Sequence, residues 1–265
     1  MYAFTYERPK KVDDAAKLLK KADEAKILAG GQTLLPAMKL RLASPGTIVD
    51  LSGIKGLSGI KASGKAVTIG AMTKHVEVLN SPEVQKSIPA LAHLASVIGD
   101  PAVRNRGTIG GSLANNDPSA DYPAAALGLG ASIKTNKREI AADKFFKGLF
   151  ETALADDEII ESVSFPVPSS AGYEKFRNPA SRFALVGVFV SKSKDGVRVA
   201  VTGAGESGVF RIKEMEAALT KNWSADALKG ISVPAKGMIA DIHGTAEYRA
   251  HLIGVLARRA VAAAK

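Results

Sequence analysis

The order of apolar and polar positions divides this chain into three stretches with different periodicity. From Val12 to Lys21 the apolar residues Ala15, Ala16, Leu18 and Leu19 recur at helical spacing, and Asp13 or Asp14 can start the helix. Lys26-Ile27-Leu28 and Thr47-Ile48-Val49-Asp50-Leu51 read as short strands, with a helix between them from Leu34 to Leu42. That is a βαβ pattern. A glycine-rich passage, Gly53 to Gly64, then leads to a strand at Ala66–Gly70, a helix capped by Thr73 and running through Leu79, and a further helix from Ile88 to Val97. Tyr122 to Leu129 is apolar on every side, as a buried helix should be, and strands follow at Ser132–Thr135 and Ile160–Phe165. Pro166, Pro168, Ser169, Ser170 and Gly172 mark the next boundary. Beyond it, Tyr173 to Phe176 opens a third stretch with strands at Ala184–Ser191 and Val197–Gly203 and helices at Ile212–Leu219 and from Thr245 onward. The pattern predicts an α+β chain of three lobes, over residues 1–55, 56–170 and 171–265.

Two glycine-rich segments interrupt this pattern, Ala29-Gly30-Gly31-Gln32-Thr33 and Thr108-Ile109-Gly110-Gly111-Ser112, each reached through apolar residues. Glycine lets backbone approach a ligand closely, and consecutive N–H groups beside a hydroxyl suit phosphate oxygens. Neither is a Walker sequence, because no Gly-Lys-Ser/Thr follows. One such segment is more often just a tight turn; two, each with a hydroxyl, point to a diphosphate held from both sides and so to a dinucleotide.

Around these segments the chain resembles a known family. Phe4-Thr5-Tyr6-Glu7-Arg8-Pro9, Ile27 through Pro36, and Val103 through Leu113 followed by Asp117-Pro118 and Asp121 are similar to blocks of the FAD-binding medium subunits of molybdenum hydroxylases, the carbon monoxide dehydrogenase and xanthine dehydrogenase family. Further blocks lie near Asp157-Glu158-Ile159-Ile160 and Tyr173-Glu174-Lys175-Phe176-Arg177, so the likeness runs in order from near residue 3 past residue 220. It implies a two-lobed FAD-binding domain of the PCMH type followed by a smaller α+β C-terminal domain, with the flavin between the first two lobes. The residues it assigns to the cofactor are Leu28, Ala29, Gly30, Gly31, Gln32, Thr33 and Leu34 in the first segment, and Thr108, Ile109, Gly110, Gly111 and Ser112 in the second. It adds Ile98, Ile160, Arg177 and Phe183 around the flavin ring and Asp121 as acceptor for a sugar or ribityl hydroxyl. Asp121 could equally cap the helix that starts at Tyr122-Pro123. Ser181, Arg182 and Ala102 depart from the family, where Gly-Asp and Gln are usual.

Composition narrows the chemistry further. The 265 residues contain no cysteine, which excludes a disulfide scaffold, a thiolate zinc site and an iron–sulfur cluster held by this chain. A net charge of +10 admits anionic partners, but the lysines of the first helix carry no interleaved aromatics, so a nucleic-acid surface is not expected. No secretory leader and no bilayer-length apolar run are read, and the cytoplasm is the expected compartment. The four histidines, His75, His93, His243 and His251, show no metal spacing, and Ser112 and Ser119 lack a nucleophile elbow. Gly203-Ala204-Gly205-Glu206-Ser207-Gly208 is a literal G-x-G-x-x-G, yet no second parallel strand with a terminal acid follows, so it is read as a turn.

The resemblance therefore implies an electron-transfer subunit rather than a complete enzyme. Its partners would be a large subunit with the molybdenum cofactor and a small subunit with 2Fe–2S clusters, in a heterotrimer able to dimerise. Electrons would pass from those clusters through FAD to an external acceptor. The alternatives are a stand-alone FAD-dependent oxidoreductase and a nucleotide-binding module without turnover.

Overall fold

The computed structural model describes residues 1–265. Its first lobe contains β1 (Thr5–Glu7), α1 (Val12–Lys21), β2 (Ala25–Leu28), α2 (Leu34–Lys39) and β3 (Thr47–Asp50), with the strands parallel in the order β1-β3-β2. The β1 strand is exposed at every residue, so no alternation marked it in the sequence. Helix α1 buries Ala15 against Val49 and Leu51, while Asp13 and Asp14 at its start and Lys20 and Lys21 at its end complement the helix dipole. Lys11 occupies the cap position, and neither aspartate caps. Helix α2 stops short of Leu42 because Arg41 is left-handed, φ 61°, which leaves Leu40 and Leu42 exposed.

The second lobe runs through β4 (Ile60–Ala62), β5 (Ala66–Gly70), α3 (His75–Asn80), α4 (Pro82–Ser87), α5 (Pro89–Ser96), α6 (Pro101–Arg104), α7 (Ile109–Asn115) and α8 (Tyr122–Leu129). It continues with β6 (Ser132–Thr135), β7 (Glu139–Ala141), α9 (Ala142–Phe145), the β8 (Phe146–Gly148) and β9 (Glu151–Thr152) hairpin, and β10 (Ile160–Pro166). The sheet is antiparallel, in the order β4-β5-β10-β6-β7, and its register sets Val163 opposite both Ile69 and Ile133 in the core. Thr73 does not cap α3. Its hydroxyl bonds the N–H and carbonyl of Gly59 instead, and the start of α3 is closed by Glu77, whose carboxylate accepts from Lys74 N–H at 2.7 Å. The helix expected from Ile88 begins one residue later, because Pro89 disfavours helical backbone at the residue before it.

The third lobe is an antiparallel sheet of β11 (Ser170–Arg177), β12 (Ala184–Ser193), β13 (Gly196–Thr202) and β14 (Phe210–Arg211), with α10 (Lys213–Lys221) and α11 (Ala246–Ala263). Helices α10 and α11 join its strands in one core, whereas Tyr173, Phe189 and Ala200 belong to the core of the second lobe with the fully buried α8. The G-x-G-x-x-G segment is the connection between β13 and its antiparallel neighbour β14, with Gly203 at φ 83° and its N–H donating to Pro118. No parallel βαβ unit surrounds it, so no Rossmann site forms. No helix is long and apolar enough to cross a membrane.

Candidate functional site

A cleft of about 1280 Å³ lies along the first and second lobes and reaches the Ser181–Phe183 turn of the third. It exceeds the ~300–1,000 Å³ of an ordinary small-molecule site, as a dinucleotide requires. Every residue the sequence assigned to the cofactor borders it except Leu28, Ile109 and Arg177. Leu28 closes β2 opposite Asp50, Ile109 is wholly buried in the core, and Arg177 lies at the exposed end of β11.

The two glycine segments differ in what they offer. Between β2 and α2, no backbone carbonyl accepts from the N–H groups of Ala29 through Leu34, while Leu35 and Ala37 donate to Gly31 and Thr33. Gly31 is left-handed there, φ 74°, and turns successive N–H groups into a concave nest at a helix start. The second segment is not a loop. Thr108 caps α7 with its hydroxyl accepting from Gly111 N–H at 3.2 Å, so Gly110, Gly111 and Ser112 form the first turns of a helix. Their N–H groups are already used: Ile109 donates to Thr73, Gly110 to Ala71 and Ser112 to Thr108.

Close approach explains the glycines of the second segment. A Cβ on Gly110 would stand 2.6 Å from the Ala71 Cβ, and one on Gly111 would stand 2.9 Å from Thr108 Oγ1, with the Ala29 Cβ in van der Waals contact at 3.4 Å. Gly30 in turn packs directly on the Arg106–Gly107 backbone. The two segments thus interlock, one with unbonded N–H groups and the other with the free hydroxyl of Ser112.

Asp121 does not cap α8 with its side chain. Its carboxylate accepts from Tyr173 at 2.6 Å and from Lys175 at 2.9 Å, in a pair only 2% and 4% exposed. Burial pushes the carboxyl up, against the pull of the Lys175 charge and the Tyr173 hydroxyl. Tyr173 is raised as well, first by burial and then by Asp121. Two bonds leave further acceptor capacity on this carboxylate, which borders the cleft. Of the two cations on this strand, Lys175 is the one that pairs with Asp121, while Arg177 lies exposed at the end of β11. Tyr173, Lys175 and Arg177 alternate onto one strand face, and opposite the end of that strand the register skips Leu185 of β12.

His75 was missed. It opens α3, borders the cleft, and supports the turn before the second segment: a Cβ on Gly107 would stand 2.5 Å from its Nε2. Its ring lies 5.3 Å from Tyr122, and its Nδ1 has no partner. Burial first, and the nearby Arg104 charge second, lower its pKa to about 4. A lowered value means that the unfolded chain binds the proton first. Its stabilising contribution is complete above pH ~6.5 and is lost as the pH falls towards 4, by roughly 3 kcal/mol in all. Urea unfolding at pH 7 and pH 5 is expected to show a drop in stability that His75→Asn largely abolishes. An equal drop in the variant would place the titrating group elsewhere.

Around the far end of the cleft, Ile160 is buried at the start of β10, Ile98 is half-buried after α5, and Phe183 is half-exposed. These three border one cavity with the glycine segments.

Residues 2–168 match the model of the FAD-binding domain in molybdopterin dehydrogenase. The nicotine 6-hydroxylase medium subunit of Paenarthrobacter nicotinovorans is 37% identical, over 98% of this chain and 96% of that protein. The carbon monoxide dehydrogenase medium chain of Hydrogenophaga pseudoflava is 36% identical, over 98% and 96%. A solved carbon monoxide dehydrogenase from Hydrogenophaga pseudoflava, lacking the Mo-pyranopterin moiety, superposes with a TM-score of 0.87 at 37% identity, over 99% of this chain and 97% of the matched one. With its nest of free N–H groups and a cleft of dinucleotide size, this chain belongs to the FAD-binding family of the molybdopterin dehydrogenases.

Proposed function

We propose that this chain is the FAD-carrying medium subunit of a cytoplasmic molybdenum hydroxylase. The run of unbonded N–H groups from Ala29 to Leu34 carries the reading, since it offers a diphosphate what the protein leaves unused. The Gly31 nest holds one phosphate, and the start of α7 with Ser112 faces the other. Asp121 accepts from a ribityl or sugar hydroxyl, and Lys175 fixes Asp121 while placing a buried positive charge beside the ring end. Ile98, Ile160 and Phe183 keep water from that end. When bound, FAD supplies exchange of two electrons between one-electron 2Fe–2S clusters on a small partner subunit and an external acceptor. The molybdenum cofactor sits on a large partner subunit, and the three chains form a heterotrimer able to dimerise.

A division of labour follows. The isolated chain is expected to bind FAD yet leave it oxidised when mixed anaerobically with carbon monoxide, a purine or an aldehyde. Addition of the molybdenum and iron–sulfur subunits should restore substrate-dependent bleaching of the flavin. Stopped-flow absorbance tests this, and rapid flavin reduction in the isolated chain would make it a self-sufficient oxidoreductase instead.

A further inference from the structure

Two large aromatic side chains border the cleft while remaining open to solvent: Phe150 is 60% exposed and Phe183 50%. Both are presented by backbone that side chains rarely adopt. Phe150 itself has φ 55°, and Arg182, immediately before Phe183, has φ 62°. Exposed rings on left-handed backbone are costly unless something else uses them, and such outliers gather at ligand sites.

The surroundings hold in place the backbone that carries both rings. Asn116, left-handed at φ 44°, ends α7 and fastens the β8–β9 tip that carries Phe150. Its Nδ2 donates to the carbonyls of Gly148 at 2.8 Å and Glu151 at 2.9 Å, and its own carbonyl accepts from Phe150 N–H at 3.2 Å. The 203–208 turn, which the nucleotide reading left without a role, meets both presenting segments. Gly208 lies against Gly148, where a Cβ would stand 3.7 Å from the carbonyl, and a Cβ on Gly203 would stand 2.5 Å from the carbonyl oxygen of Ala184, next to Phe183. The buried Arg249 guanidinium then donates to Leu185 at 2.7 Å and Gly203 at 2.8 Å, tying the turn to β12.

We infer that Phe150, positioned by Asn116, is a second aromatic lip facing the flavin ring, paired with Phe183 at the third-lobe end of the cleft. This rests on the reading of the cleft as an FAD site. The ring is flat and apolar at its dimethylbenzene edge, so two aromatic walls shield it from solvent and add stacking to the phosphate grip.

The test uses the full chain within its complex, with bound-flavin fluorescence and its quenching by iodide as the readout. Phe150→Ala is expected to raise iodide access to the flavin, as Phe183→Ala does, and to weaken FAD retention about two- to tenfold. Phe150→Tyr should restore both values. Asn116→Gly, which keeps the left-handed backbone but frees the tip, should behave as Phe150→Ala does. Unchanged iodide access and FAD release in Phe150→Ala, in protein with a full complement of FAD, would overturn the inference and leave the FAD reading standing. A native chain that retains no FAD would overturn both.

Discussion

Valine in place of Gly31 is expected to weaken FAD retention by roughly 100-fold or more, equivalent to about 3 kcal/mol of binding. The left-handed φ of 74° aims consecutive N–H groups into one nest, and a β-branched residue holds that conformation poorly. The added carbon would also stand 2.8 Å from Leu35 Cδ1, so the Leu35 side chain would have to turn away. The fold should survive, because Gly31 lies at the cleft rather than in a core cluster. Gly110→Val should behave differently. Its Cβ meets Ala71 side chain and backbone within the second-lobe core, so the first loss is of folded protein rather than of cofactor alone. Circular dichroism with flavin absorbance on the two variants separates these outcomes. A fully flavinylated Gly31→Val protein would show that the nest is not the phosphate site.

Lys175→Met is expected to destabilise the chain by about 3–5 kcal/mol, because it leaves the buried Asp121 carboxylate without its charge partner. For a chain of this size that corresponds to a fall in melting temperature of roughly 10 °C. The pair is almost wholly buried, and Lys175 also donates to the Val97 carbonyl at 3.1 Å, so its loss unties α5 from β11 as well. Combining it with Asp121→Asn should recover a large part of the loss, since the unpaired charge is then gone. Thermal melts of the native chain, the two single variants and the double variant form a complete cycle. Additive losses would mean that the pair does not act as a unit.

Periodicity revealed the elements whose burial follows one rule. Helix α1 shows its stripe, α8 is apolar throughout and is buried throughout, and β10 fills the sheet centre. It failed where tertiary contacts override local preference. Gly110 and Gly111 read as loop because glycine disfavours helix, yet α7 needs them to lie against Ala71 and Ala29. Thr108 was visible as a hydroxyl beside glycines, and its role as a helix cap was the overlooked signal. Lys175 and Arg177 share a strand face in sequence, and what separates the buried cation from the exposed one is that β11 ends at Arg177. The partnerless Nδ1 of His75 and the backbone of Phe150 leave no trace in composition or spacing.

The most direct measurement is the identity and amount of cofactor released on denaturing the purified chain within its complex, by chromatography against FAD and FMN standards. On the proposed reading the unbonded N–H groups of residues 29–34 and the Ser112 hydroxyl hold a diphosphate, and a mononucleotide carries only one phosphate. The expected result is one FAD per chain with little FMN. FMN in its place, or no flavin in a fully assembled complex, would contradict an FAD site in this cleft.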